Sequence, residues 1–76
     1  MEEKFITLFK EALEIENREL QLSDTFRDYD EWDSLSYLSV IAMLDDEFGI
    51  EIETEDFVKL KTLQDIINEI RNRQKE

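Results

Sequence analysis

Gly49 is the only glycine in this 76-residue chain, and proline is absent. Turns therefore rest on other residue types, and no Gly/Ser or Pro linker divides the chain. Residues 1–76 are expected to form a single domain. The patterning between the turns is helical. From Glu2 to about Glu16, Phe5, Leu8, Phe9, Ala12 and Leu13 recur on one face of a 3.6-residue period. Glu2 and Glu3 sit where the helix dipole favours negative charge, and Asn17 is expected to end the helix in a left-handed conformation. Residues 17–33 are weakly periodic and rich in turn formers. So long a polar loop is uncommon unless it packs down or has a function, and Leu22 and Phe26 are expected to anchor it to the core.

From Ser34 to Phe48 the helical spacing returns, with Leu35, Leu38, Ile41, Leu44 (beside Met43) and Phe48 as the stripe. Asp33 or Ser34 is placed to cap its start, and Gly49 stands where a terminating glycine belongs. Ile50-Glu51-Ile52-Glu53 alternates, but without a clear partner strand it reads as an extended connector burying Ile50 or Ile52. Thr54 is expected to cap a short helical turn carrying Phe57 and Leu60. Thr62-Leu63-Gln64-Asp65 fits an acidic capping box. The last helix then runs to about Arg73 with Leu63, Ile66, Ile67 and Ile70 inward, and Arg71, Arg73 and Lys75 suit the negative end of its dipole. The fold class is all-α: a small bundle of three principal helices and one short helix, with a long loop between the first and second.

Composition narrows the function. Cysteine and histidine are both absent, which excludes thiolate zinc sites, Ser-His and Cys-His nucleophiles and histidine-bound metals within this chain. No catalytic residue and no metal site is nominated, and a self-sufficient enzyme is not expected. Asp28-x-Asp30 opens like a calcium loop, but Trp32 and Asp33 stand where that loop needs Asp/Asn and Gly. No apolar run approaches the roughly 20 residues of a membrane helix, and Met1-Glu2-Glu3-Lys4 lacks the basic-then-apolar layout of a signal peptide. The expectation is a cytoplasmic protein that does not insert into membranes. Acidic residues number 21 against 9 basic, a net charge of −12. Such a chain repels nucleic acid, attracts basic protein surfaces and resists self-association, so a monomer is expected. The basic residues are unevenly placed: none lies between Arg27 and Lys59, a span that holds 11 acids from Asp28 to Asp56. A one-sign surface of this kind fits electrostatic docking to basic partners better than mere solubility.

Asp33-Ser34-Leu35 opens the second helix. Alone it reads as a cap followed by a leucine. In context it is one of several motifs in a fixed order: an amphipathic first helix, a long loop, Asp33-Ser34-Leu35, the ending Leu44-Asp45-Asp46-Glu47-Phe48-Gly49-Ile50-Glu51-Ile52, and Thr62-Leu63-Gln64-Asp65-Ile66. In that order and spacing, over about Lys4 to Arg73, the chain resembles the acyl carrier proteins and the related peptidyl and aminoacyl carrier domains. The resemblance implies that Ser34 is esterified by 4′-phosphopantetheine, moved from coenzyme A by a phosphopantetheinyl transferase with magnesium. It implies that an acyl or aminoacyl group then rides on the distal thiol as a thioester. Asp33 is implied to assist that transferase complex, with helix capping as an equal role, and Leu35 to dock into the transferase or another partner. Asp45, Asp46 and Glu47 match the family's acidic docking run. A chain-storage lining would comprise Leu38, Ile41, Leu44, Ile52, Phe57 and Leu60, narrowed by bulky Phe57. Two departures stand out. Glu31 occupies a position where the family often has glycine, and Trp32-Asp33-Ser34-Leu35 is a form familiar among stand-alone carriers outside standard fatty-acid synthesis. Ser36 and Ser39 stand where fatty-acid carriers usually place acids. These differences predict a dedicated partner set, such as a specialised loading ligase and a downstream acyltransferase or synthase with basic docking surfaces. The alternative is an unmodified acidic interaction module of the same fold.

Overall fold

A computed structural model describes residues 1–74; the expected role of Lys75 lies outside these described residues. Four helices follow in order: α1 (Glu2–Leu13), α2 (Ser34–Phe48), α3 (Thr54–Phe57) and α4 (Leu63–Gln74), with a 3₁₀ turn at Phe26–Asp28 in the long loop. The described residues hold no strand, only an isolated antiparallel bridge between Thr25 and Thr62. The expected all-α bundle of three principal helices and one short one is the fold observed. No helix among the described residues is long and apolar enough to cross a membrane.

The core is one cluster drawn from every element. Phe5, Phe9 and Leu13 come from α1, Phe26 from the loop, and Val40, Met43, Leu44 and Phe48 from α2. Ile50 and Ile52 come from the connector, Phe57 from α3, and Leu63, Ile66, Ile67 and Ile70 from α4. Both connector isoleucines are buried, one more than the alternation required. All four residues expected on the inner face of α4 are buried. Its start is a reciprocal capping box: the Asp65 amide donates to Thr62 Oγ1 at 3.1 Å, and Asp65 Oδ2 accepts from the Thr62 amide at 3.1 Å.

Two helices end in the same way with different residues. Gly49 takes a left-handed conformation (φ 67°), and the following Ile50 amide reaches back to the Leu44 carbonyl at 3.3 Å. At the end of α1 the left-handed residue is Glu14 (φ 58°), not Asn17, and the Ile15 amide reaches back to the Lys10 carbonyl at 2.9 Å. The reason is Ile15, which is 4% exposed. Burying an isoleucine contributes roughly 1.5–3 kcal/mol, which exceeds the roughly 1–2 kcal/mol cost of a left-handed non-glycine residue. Tertiary burial therefore moved the helix end three residues ahead of the locally better Asn17.

The long loop packs down as expected, with Phe26 fully buried and Leu22 half-buried; Leu20 is buried as well. Its backbone also completes α4. The Leu63 amide donates to the Asp24 carbonyl at 3.2 Å and the Gln64 amide to the Leu22 carbonyl at 2.9 Å. These are first-turn amides that a helix cannot satisfy by itself. Within the loop, the Tyr29 hydroxyl donates to Asp24 Oδ2 at 2.7 Å. Burial, then this bond to an anion, pushes the Tyr29 phenol well above its ordinary value. α3 departs in detail from expectation. Glu53 precedes it, and Thr54 is its first residue; the Thr54 hydroxyl hydrogen-bonds with the Tyr37 hydroxyl at 3.1 Å instead of capping.

Candidate functional site

The start of α2 is built by its own sequence. Asp33 has extended backbone, and its Oδ1 accepts from the Ser36 amide at 2.8 Å. That amide bond is the main reason the Asp33 carboxyl sits below the usual carboxylate range, with the Ser36 side chain adding to it. Upstream, Arg18 holds Glu31 in a bidentate pair at 2.7 and 2.8 Å, and this bond lowers the Glu31 carboxyl. The Glu31 carbonyl in turn accepts from Ser36 Oγ at 2.7 Å. Where glycine would give freedom, Glu31 is therefore fixed at both side chain and backbone.

These bonds distinguish three serines on α2. Ser34 is exposed at the first position of the helix, at the positive end of the dipole. Ser36, expected on an exposed turn for partner docking, is 8% exposed with its hydroxyl already bonded to Glu31, which corrects that expectation. It lies on the inner face because a backbone acceptor there satisfies its hydroxyl. Ser39 is exposed one turn further on.

The apolar stripe of α2 is also rotated from the one expected. Leu35 and Leu38 are 73% and 59% exposed, and the buried residues are Ser36, Val40, Met43, Leu44 and Phe48. Leu35 thus stands free beside Ser34. Leu38 stands outside the core it was expected to line, and Ile41 is half-buried at the border. Leu44, Ile52, Phe57 and Leu60 are all in the core. The six residues nominated as a chain-storage lining are thus divided between surface and interior.

Two grooves flank the helix start. The larger, about 660 Å³, lies between the end of α1 and α2 and is bordered by Leu35, Leu38 and Ser39 with Glu14, Glu31 and Asp33. The smaller, about 380 Å³, is lined by Ser34 itself with Arg27, Trp32, Asp33, Tyr37, Phe57 and Val58. Asp45, Asp46 and Glu47 are exposed together at the far end of α2, with Lys4 Nζ 4.0 Å from Glu47 Oε1.

Sequence reading gave Arg27 and Tyr37 no role at the site, and noted Trp32 only as part of a motif and not as a wall of the groove. Arg27 donates to the carbonyls of Phe57 (2.8 Å) and Leu60, fastening the loop to the end of α3. Its partners lie 30 and 33 residues away, so no local pattern announces it. The position of Arg27 at the edge of the basic-free span was the one available signal.

The arrangement offers a primary hydroxyl on a fixed helix start, where backbone N–H groups and the dipole favour an attached anion. It offers no base of its own, since histidine is absent and Asp33 is engaged as a cap. The sequence profile of a family described as phosphopantetheine attachment site matches residues 3–70. An acyl carrier protein of Syntrophus aciditrophicus (strain SB) is 32% identical over 73 residues, covering 96% of this chain and 91% of that protein. An acyl carrier protein of Thermosynechococcus vestitus (strain NIES-2133 / IAM M-273 / BP-1) is 46% identical over 41 residues. That match covers 54% of this chain and 51% of the relative, about half its length. No solved structure matches significantly.

Proposed function

This chain belongs to the phosphopantetheine attachment family of the acyl carrier proteins, and from that premise we propose that Ser34 is the residue that carries the prosthetic group. Members of this family are carriers and not catalysts, and the attachment site implies a 4′-phosphopantetheine group. The single observation supporting Ser34 is its combination of exposure and position. It is the one serine of α2 that is both exposed and at the helix start, whereas Ser36 is buried and Ser39 lies a turn inside. The residues present fit the group. The first-turn amides face a phosphodiester anion favourably, no acid occupies the first turn of α2, and Ser34 lines the 380 Å³ groove.

Ser34 Oγ takes the phosphopantetheinyl group from coenzyme A: the new Oγ–P bond replaces the P–O bond of the pyrophosphate, adenosine 3′,5′-bisphosphate leaves, and the hydroxyl proton goes to a base on the phosphopantetheinyl transferase, since this chain has no histidine to accept it. Asp33 keeps the helix start rigid by holding the Ser36 amide, and exposed Leu35 offers the transferase an apolar contact next to the reacting hydroxyl. When bound, the group supplies a thiol that holds an acyl or aminoacyl group as a thioester; the chain, lacking cysteine, offers no competing thiol. Asp45, Asp46 and Glu47 steer basic partner surfaces to the other end of α2.

The partner set is a specialised one: a dedicated loading ligase and a downstream acyltransferase or synthase. What supports this is the first half of α2, which presents Leu35, Leu38 and Ser39 and carries no acid after Asp33. The carrier works as a monomer, its −12 charge opposing self-association.

The test is intact-protein mass spectrometry after incubation with coenzyme A, magnesium and a broad-specificity phosphopantetheinyl transferase. The parent and Ser39→Ala are expected to gain one phosphopantetheine, and Ser34→Ala none while remaining folded by circular dichroism. Addition to the Ser34→Ala variant would reject the site. A folded parent that takes no group from several transferases would reject the carrier reading in favour of an unmodified acidic interaction module.

A further inference from the structure

The groove that Ser34 itself lines has an aromatic inner wall. Phe9, Trp32 and Phe57 are stacked in series, with centroids 6.3 and 6.2 Å apart and planes 6° and 7° from parallel. Trp32 also meets Phe26 edge-on at 4.9 Å. Tyr37 stands edge-on against Phe57 at 5.2 Å, and its hydroxyl bond to Thr54 ties α2 to α3 across the groove. Arg27 closes the remaining side, its guanidinium 5.3 Å from the Phe57 ring centroid while it donates to the Phe57 carbonyl. Phe57 is 1% exposed, and Phe9 and Phe26, on the far side of the wall, are fully buried.

We propose that Trp32, Tyr37 and Phe57 set the cargo class of this carrier by closing the core to it: the thioester cargo is short or polar and stays outside the wall. The inference rests on Ser34 bearing the arm. An arm fixed at Ser34 meets this groove first, because Ser34 is one of its lining residues and does not line the larger groove. For an aliphatic chain to pass between α2 and α3, a ring must leave the stack. That exchange trades buried ring surface for buried chain surface, so the apolar gain largely cancels. Parting α2 from α3 also gives up the Tyr37–Thr54 bond and loosens the hold of Arg27 on the Phe57 carbonyl, the contacts that clasp α3. A cargo of two or three carbons, or one bearing polar groups, has no such chain to bury and loses nothing by remaining in solvent.

The experiment loads the parent with acetyl or octanoyl arms from the corresponding acyl-coenzyme A, using the same broad-specificity transferase. Amide and methyl NMR shifts of Val40, Ile66, Ile67 and Ile70 and the rate of thioester cleavage by hydroxylamine are then compared. The parent is expected to show the same core shifts with either cargo, and cleavage rates within about twofold, because the rate follows the fraction of cargo outside the core. Tyr37→Ala and the milder Phe57→Leu, both checked for folding, are expected to shift the core signals with octanoyl only and to slow its cleavage. Core shifts and slowed cleavage in octanoyl-loaded parent would overturn the proposal, as would octanoyl behaviour unchanged from parent in both variants. Intact mass separates the two levels of failure. A parent that takes no arm refutes the attachment reading, whereas a loaded parent that buries octanoyl refutes this inference alone.

Discussion

Helix α4 carries Asp65 in its first turn and Arg71 and Arg73 in its last, whereas α2 carries no acid in its first turn and no base in its last. In α4 the charges match the helix dipole. In α2 they oppose it: Asp45, Asp46 and Glu47 crowd the negative end, and the positive end is left to Asp33 as cap and Ser34. Apolar residues differ in the same way. Every inward residue expected in α4 is buried, while α2 leaves Leu35 and Leu38 in solvent. The features of α4 are accounted for inside the fold. Apart from the Asp33 cap, those of α2 have no such account within the fold, and they are the features a transferase, a prosthetic anion and a basic partner would meet in the proposed function.

The contrast can be broken most sharply in the core. Ile70→Ala in α4 is expected to destabilise by about 2–5 kcal/mol in denaturant unfolding, while Leu38→Ala in α2 stays within about 0.5 kcal/mol. A large loss from Leu38→Ala would place α2's outer face within the folding core. Next in size is charge. Asp45→Asn with Asp46→Asn is expected to raise stability by about 0.3–1 kcal/mol per residue at low salt, an effect that fades in salt. Arg71→Gln in α4 is expected to lower stability, helped by loss of its 3.0 Å pair with Glu2, with the exposed pair contributing well under about 1 kcal/mol. If both sets of changes shift the thermal midpoint in the same direction, the two helices do not follow opposite charge rules.

The smallest effect concerns pH. The Ser36 amide lowers the Asp33 carboxyl in the folded state, so the folded protein binds fewer protons there than the unfolded chain. The cap's contribution is complete above the ordinary aspartate value and is lost as pH falls through the lower folded one. Asp33→Asn should therefore lose stability relative to parent at neutral pH, and the gap should shrink in acid. A gap that widened on acidification would contradict the cap.

How much could be read from the sequence follows from where each residue's partners lie. The boundaries of α2 and all of α4 were legible, because Asp33, Gly49 and the Thr62–Asp65 box act within three or four residues of themselves. The facing of α2 was not. Leu35, Leu38 and Ile41 recur at helical spacing, but so do Ser36, Val40, Met43 and Leu44, and periodicity does not say which set meets the core. Asn17 is the better left-handed residue locally, yet Glu14 took the role because Ile15 had to be buried. The aromatic wall was least legible, since Trp32 meets Phe9 and Phe57 only after three separate segments assemble. At the candidate site, Ser34, Asp33 and Leu35 were nominated because their tripeptide stands in the order and spacing of the carrier-family motifs, while Arg27 and Tyr37 act through residues on α3 or just beyond it.

The carbonyls of Leu22 and Asp24 hold the amides of Gln64 and Leu63. First-turn amides of a helix ordinarily face water and exchange their protons freely. Here two of them are shielded by a segment some forty residues away in the chain, so their deuterium uptake times the lifting of the long loop and not the fraying of α4. Any partner that grips the loop beside Ser34 will speed or slow that clock without touching the last helix.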